Sequence, residues 1–86
     1  MFLVKVQVKL KSTVNDPEGQ TILEALHRLD HKQIDSLRSG KYFEIKINCD
    51  EEKEVVKIVE NICDNIITNP IIETYSYEII SNTTTL

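Results

Sequence analysis

The sequence predicts an α+β fold in which two helices pack on one face of a mostly antiparallel four-stranded sheet. Three observations predict it. Apolar and polar residues alternate in several segments, two other segments carry an apolar stripe at helical spacing, and together they follow the order βαββαβ. A length of 86 residues fits one domain with a modest core. We therefore expect the domain to occupy residues 1–80 and a polar tail to occupy residues 81–86.

The first strand is predicted over residues 2–11, where apolar and polar residues alternate. The apolar set is Phe2, Val4, Val6, Val8 and Leu10. A helix is expected to start at Pro17, because proline suits the first helical position and Asp16 can accept a hydrogen bond from a free backbone N–H. It is expected to end near Asp30 or His31, and its apolar face is formed by Ile22, Leu23, Leu26 and Leu29.

The middle of the chain predicts a hairpin. Residues 34–39 form a short, weak strand pattern with Ile34 and Leu37 as its apolar points. Gly40 and Lys41 are the expected turn, since glycine tolerates the backbone angles of tight turns. Alternation resumes over residues 42–49, which predicts the second strand of the hairpin.

A second helix and a last strand complete the pattern. Asp50 is the expected N-cap, and an apolar stripe of Val55, Val59, Ile62 and Ile66 follows. Pro70 ends this helix because it cannot continue the hydrogen-bond ladder. Residues 71–79 predict the closing strand, with Tyr75, Tyr77 and Ile79 on one face. The whole order resembles a ferredoxin-like split βαβ arrangement, or a close relative of it.

Composition excludes several classes of function. The net charge of −4 and the pI of about 5.1 disfavour nucleic-acid binding, which needs a basic surface. No apolar run approaches the ~20 residues that span a bilayer, so no membrane association is expected. The N-terminus alternates in polarity, unlike a signal peptide, and the expected location is the cytoplasm. Cys49 and Cys63 are expected to be reduced thiols that pack as small apolar side chains.

No constellation of residues predicts catalysis or metal binding. A phosphate-binding glycine loop is absent, and Gly40 is interpreted as a turn residue. His27 and His31 have metal-ligand spacing, but two ligands do not make a site, and we interpret them as solvated. An aromatic strand around Tyr42 is similar to an RNA-recognition motif, yet it lacks further exposed aromatic residues. These observations favour a binding or assembly role over an autonomous enzyme.

Four segments, in order, carry a resemblance to a known family. They are Asp16-Pro17-Glu18-Gly19, residues 25–29 (ALHRL), residues 37–42 (LRSGKY) and residues 69–75 (NPIIETY). Together they resemble the PurS family, the small subunit of phosphoribosylformylglycinamidine synthase. One departure stands at Asp30, where the family usually has a glycine after the first helix. Asp tolerates the left-handed conformation less well than glycine does, at a cost of up to ~1 kcal/mol.

The resemblance implies a non-catalytic bridging subunit. That enzyme makes formylglycinamidine ribonucleotide from formylglycinamide ribonucleotide, glutamine and ATP in purine biosynthesis. The large synthetase subunit is expected to hold ATP and Mg²⁺, a glutaminase subunit to release ammonia, and this chain to hold no cofactor. The chain is expected to form a homodimer or a higher homo-oligomer and to dock the glutaminase on the synthetase.

The expected contact residues of this bridging subunit are Arg28 on the first helix and Arg38, Lys41 and Tyr42 around the hairpin. The alternative function is a small-molecule-sensing module of the amino-acid-binding type, which shares the βαββαβ order. Such a module usually needs a glycine in the loop after its first strand. Residues 12–16 contain none.

Overall fold

The computed structural model describes residues 1–81 and shows an α+β fold with two helices and a three-stranded antiparallel sheet. The order of elements is β1, α1, β2, α2, a π-helical turn and β3. Their bounds are Phe2–Leu10, Pro17–Arg28, Gly40–Ile47, Glu52–Ile62, Cys63–Ile67 and Glu73–Ser81. Of the expected polar tail, Ser81 ends β3 and residues 82–86 lie outside the described part.

β1 is the central strand, and both neighbours pair with it antiparallel. Val6 lies opposite Phe43 of β2 and Tyr77 of β3, so the apolar faces of the three strands coincide. The alternation predicted for β1 is confirmed, since its valines on this face are at most 1% exposed. These valines form the core together with Val55, Val59 and Cys63 of the second helix and the turn after it.

The predicted fourth strand and hairpin are not found. Residues 34–39 are irregular, and Gly40 and Lys41 lie within β2 opposite Lys9 and Val8. Gly40 does not serve a turn, because its φ is not positive. Glycine is needed here for space, since an added Cβ would approach the Val8 carbonyl oxygen to 2.7 Å. The described sheet therefore has three strands, and a ferredoxin-like sheet is not confirmed.

α1 begins as its sequence predicts, and it ends at Arg28, shortly before the predicted end near Asp30 or His31. The Asp16 side chain accepts the Gly19 N–H at 3.0 Å, and Pro17 is the first helical residue. Beyond the last turn, the N–H groups of Asp30 and His31 donate to His27 and Leu26, at 3.1 and 3.0 Å. This is a Schellman motif, and Asp30 occupies its left-handed position with φ of 70°.

α1 does not pack on the sheet, which corrects the prediction of two helices on one face. Among the described residues, the core cluster includes no side chain of α1. Leu23 is the buried leucine of this helix, whereas Ile22 and Leu29 are 40% and 69% exposed. The chain is accordingly elongated, with a radius of gyration of 16.7 Å against ~12 Å for a compact chain of this length.

Within residues 1–81, α2 and the π-helical turn after it cover the sheet. The N-cap of α2 is Glu51 rather than the predicted Asp50, and no side chain caps its first N–H groups. The helix passes into the π-helical turn, which ends at Ile67, three residues before Pro70. β3 returns along β1, and the Tyr75 and Tyr77 hydroxyls donate to Asp64 and Glu60 at 3.0 and 2.9 Å. These bonds fasten the last strand to α2 and the turn.

Candidate functional site

The buried Asp16 carboxylate organises one end of the molecule. Besides capping α1, it accepts the Ser39 backbone N–H at 2.6 Å and the Ser39 hydroxyl at 2.9 Å. The backbone bond from Ser39 is the main reason why the pKa of the Asp16 carboxyl lies below its ordinary value, and the backbone bond from Gly19 is the next. The start of α1 is thereby fixed to the segment that enters β2.

Gly19 makes this junction possible. An added Cβ would come within 2.8 Å of the Leu37 carbonyl oxygen and would also meet the Asp16 carboxylate. The first turn of α1 and the loop before β2 therefore approach more closely than any side chain allows. The requirement at this position is space, since its φ is not positive.

Arg38 ties the same loop to the segment that follows β1. One terminal nitrogen, Nη2, donates to the Lys11 carbonyl at 3.1 Å and to the Val14 carbonyl at 2.8 Å. These acceptors lie 27 and 24 residues away in sequence, so the guanidinium joins two chain segments. The side chain is exposed yet held in one position.

Lys41 and Tyr42 stand at the start of β2, which is an edge strand. The Lys41 ammonium lies 3.8 Å from the Glu73 carboxylate of β3. Tyr42 is 52% exposed on the opposite face, and its hydroxyl donates to Glu44 at 2.9 Å. Burial, and then the Glu44 carboxylate, raise the pKa of the Tyr42 phenol.

The structure brings three of the four expected contact residues together. Arg38, Lys41 and Tyr42 line one cleft of about 370 Å³, together with Lys9. Arg28, the last residue of α1, does not line this cleft. Lys9 and Arg38 also line a second cleft of about 520 Å³, to which Lys11 belongs. We call the set Lys9, Lys11, Arg38 and Lys41 the basic corner.

Sequence reasoning missed part of this site. Alternation in the first strand sets Lys9 on the face opposite the valines, but only the strand register places it opposite Gly40. Ser39 was assigned to a weak strand, whereas it is the partner of Asp16. The one signal available was proximity in sequence, since Arg38, Ser39 and Lys41 are neighbours.

The histidines and cysteines do not form a reactive or metal-binding group among the described residues. His27, predicted to be solvated, is half-buried, and its Nε2 lies 2.8 Å from the Ile34 carbonyl oxygen. Since a carbonyl only accepts, Nε2 carries the proton. Cys49 and Cys63 are free thiols, and burial raises the pKa of Cys63.

Over residues 1–81, no three His, Cys, Asp or Glu side chains group as metal ligands. Neither helix in that range is long and apolar enough to cross a bilayer.

Comparisons with known sequences all point to one family. Residues 3–81 match the family described as PurS: phosphoribosylformylglycinamidine (FGAM) synthase. The chain is 35% identical to the phosphoribosylformylglycinamidine synthase subunit PurS of Bacillus subtilis, over 92% of this chain and 93% of that protein. It is 32% identical to the subunit of the same name in Methanocaldococcus jannaschii, over 92% of this chain and 95% of that one.

Solved structures agree with the sequence comparison. Bacillus subtilis PurS superposes with a TM-score of 0.84 at 35% identity, over 93% of this chain and 99% of that chain. A chain in the structure of PurLQS from Thermotoga maritima superposes with a TM-score of 0.84 at 26% identity. That match covers 92% of this chain and 96% of the other. The likeness therefore extends over almost the full length of each protein.

Proposed function

Because the chain belongs to the PurS family and is a subunit of FGAM synthase in purine biosynthesis, we propose that it acts as a non-catalytic bridge within that enzyme. It docks the glutaminase subunit on the large synthetase subunit and so supports ammonia transfer between them. The observation that carries this proposal is the match to a chain of the PurLQS structure over 92% of this chain. The alternative of a small-molecule-sensing module has no support in these comparisons.

The contact surface in this proposal is the end of the sheet where β2 begins. Arg38, Lys41 and Tyr42 share a cleft there, and the Asp16 and Arg38 bonds hold its backbone in place. A rigid surface loses little conformational entropy on binding, which favours docking in one orientation. Arg28 contributes separately, from the exposed end of α1.

The bridge is proposed to act as a homodimer, the simplest form of the expected homo-oligomer. Ile22 of α1 and Leu29, the residue after its end, are exposed, although the sequence has the apolar stripe of a helix that packs on another surface. On the sheet, β2 side chains of the core face stay half-buried, because α2 packs against β1. These side chains are Phe43, Ile45 and Ile47. A second copy whose α1 covers this half of the sheet would bury both apolar surfaces at once.

The remaining parts of the proposal concern location and cofactors. The cytoplasm is the proposed location, since both cysteines are free thiols and a reducing compartment keeps them so. ATP and Mg²⁺ are assigned to the large synthetase subunit. Residues 1–80 are proposed to act as one unit.

The test compares two nitrogen sources in a mixture of the large synthetase and glutaminase subunits. Adding this chain should raise the rate of product formation with glutamine, which needs a docked glutaminase. With ammonium salt as the nitrogen source, the same addition should change the rate little, because free ammonia bypasses the glutaminase. Equal glutamine-dependent rates with and without the chain would contradict the bridging function.

A further inference from the structure

We propose that the basic corner binds an acidic segment of another subunit of the same enzyme. The inference depends on the proposed bridging function and adds the chemistry of the partner surface. It starts from an uneven distribution of charge. The corner and the residues lining its clefts hold four cations and three carboxylates, whereas the rest of the chain has six cations and eleven carboxylates.

Two of the three carboxylates of this region already have partners within the chain, and one of these partners is the cation Lys41, so Lys9, Lys11 and Arg38 are the cations left to a partner protein. Asp16 is buried and already accepts hydrogen bonds from Ser39 and Gly19. Glu73 is half-buried with only 12% of its side chain exposed, beside Lys41. Glu18 is the exposed carboxylate of the three. The surface that a partner meets is therefore cationic on a protein whose net charge is −4.

Arg38 gives this surface a fixed donor. Both of its hydrogen bonds use Nη2, and a guanidinium has five N–H donors in a planar fork. An N–H group on Nε or on Nη1 can therefore donate to a carboxylate oxygen without breaking the bonds to Lys11 and Val14. Since the side chain is already held, binding costs less conformational entropy than for a mobile arginine.

The shape of the region favours an extended protein segment over a small anion. Three adjoining clefts of about 370, 380 and 520 Å³ share Lys9 and Ser39. Apolar groups such as Leu10 and Pro17 line them beside the cations. A small anion could occupy only one of the three clefts, whereas an acidic segment can place carboxylates along all of them and its own carbon atoms on the apolar lining.

The charge distribution also orients the approach of the partner. The opposite end of the sheet, where α2 begins, has Asp50, Glu51, Glu52 and Glu54 close together in sequence. An acidic partner is repelled by that end and attracted to the basic corner, which increases the rate of correct encounter at low salt. The complex should accordingly weaken as salt increases.

The test reverses two charges of the corner and, as a control, two charges elsewhere. Lys9→Glu with Lys11→Glu changes the corner and leaves the bonds of the Arg38 side chain in place. Lys53→Glu with Lys57→Glu makes the same charge change on exposed positions of α2. Each protein is first checked for wild-type circular dichroism. It is then titrated by calorimetry into the large synthetase and glutaminase subunits at several sodium chloride concentrations.

We expect the corner variant to bind at least about tenfold more weakly at low salt and to lose most of its salt dependence. The control variant should stay within about twofold of wild type. Equal weakening by both variants, or none by either, would overturn the proposal while wild-type binding still supports the bridging function. Absence of wild-type binding would instead contradict the bridging function itself. Weaker self-association of the corner variant, with unchanged binding to the other subunits, would identify a second copy as the occupant and overturn the proposal.

Discussion

The Asp16 carboxylate accepts the backbone N–H of Ser39 at 2.6 Å, across 23 residues of chain. The same carboxylate caps α1 through Gly19. One side chain thus fixes the start of the helix and the entry to β2. Because α1 does not pack on the sheet of its own chain, this junction and the Arg38 bonds set its direction.

Asp16→Asn should lower the urea midpoint of unfolding at neutral pH. Asparagine keeps one oxygen to cap Gly19 but places an NH2 group, which cannot accept, where the second carboxylate oxygen accepts the Ser39 N–H, and it also loses the charge. The folded-state pKa of Asp16 lies below its ordinary value of 3.8. Its stabilisation is therefore complete above pH 3.8 and is lost as the pH falls through the lower folded-state pKa. Hence the deficit of the variant should shrink in acid.

Urea unfolding of wild type and variant across this pH range measures the effect. Asp35→Asn, which changes an exposed carboxylate of the loop before β2, provides the matched control and should show no such trend. A deficit that stays constant down to the most acid sample would mean that the Asp16 charge contributes nothing.

Asp30→Gly should stabilise the protein by up to ~1 kcal/mol. Asp30 has a φ of 70° at the left-handed position of the Schellman motif, where glycine has no Cβ to strain. Urea unfolding at equal protein concentration measures the gain. Asp35→Gly is the control, because Asp35 does not have a positive φ, whereas Asp30 does. The control change should therefore be neutral or destabilising. A loss of stability in Asp30→Gly would contradict the assigned strain.

Tyr75 should ionise last among the tyrosines. Burial and then its hydrogen bond to Asp64 raise the pKa of its phenol to about 12. Since the folded-state value exceeds the ordinary value of 10, the stabilisation from this tyrosine is complete below pH 10 and is lost as the pH rises toward 12. Titration followed by phenolate absorbance in the ultraviolet measures it. Tyr75→Phe should remove the late step, and Tyr42→Phe should leave it in place.

The exposed face of α1 should control self-association. Ile22→Ser combined with Leu29→Ser removes an exposed apolar side chain of α1 and that of its C-cap residue, which the dimer would bury. We expect the dimer dissociation constant, from sedimentation equilibrium, to rise at least about tenfold, which corresponds to ~1.4 kcal/mol. Ile71→Ser is the control, because Ile71 is 79% exposed outside both helices. A similar effect from the control, or a wild-type monomer at all concentrations, would contradict the proposed dimer.

The sequence predicted those elements that depend on residues close to one another in the chain. Alternation in β1 marked the valines that the structure buries, because one face of that strand meets α2. Asp16 and Pro17 marked the start of α1, since capping depends on residues a few positions apart. Asp30 was identified as the unusual end of that helix for the same reason. The family resemblance, now confirmed over residues 3–81, likewise depended on short segments in order.

The wrong predictions concern segments whose structure depends on contacts between residues that are distant in sequence. Residues 34–39 have a weak strand pattern, but Ser39 bonds to Asp16 and the Ile34 carbonyl lies 2.8 Å from His27, so this segment follows α1 instead of pairing in the sheet. Gly40 was interpreted as a turn residue, whereas it allows close approach to the Val8 carbonyl. The apolar stripe of α1 predicted packing on the sheet of its own chain, which was wrong, since Ile22 and Leu29 are exposed and α1 adds no side chain to the described core.

By itself, then, the sequence determined the two helices, three of the strands, the buried face of β1 and the family, because periodicity, caps and short motifs act over a few residues. The tertiary structure alone decided that the sheet has three strands and that α1 lies off it. It also decided that Lys9, Arg38 and Lys41 share adjoining clefts. These features depend on register and on hydrogen bonds between residues more than 20 positions apart, such as that from Ser39 to Asp16, and such contacts leave no periodic signal in the sequence.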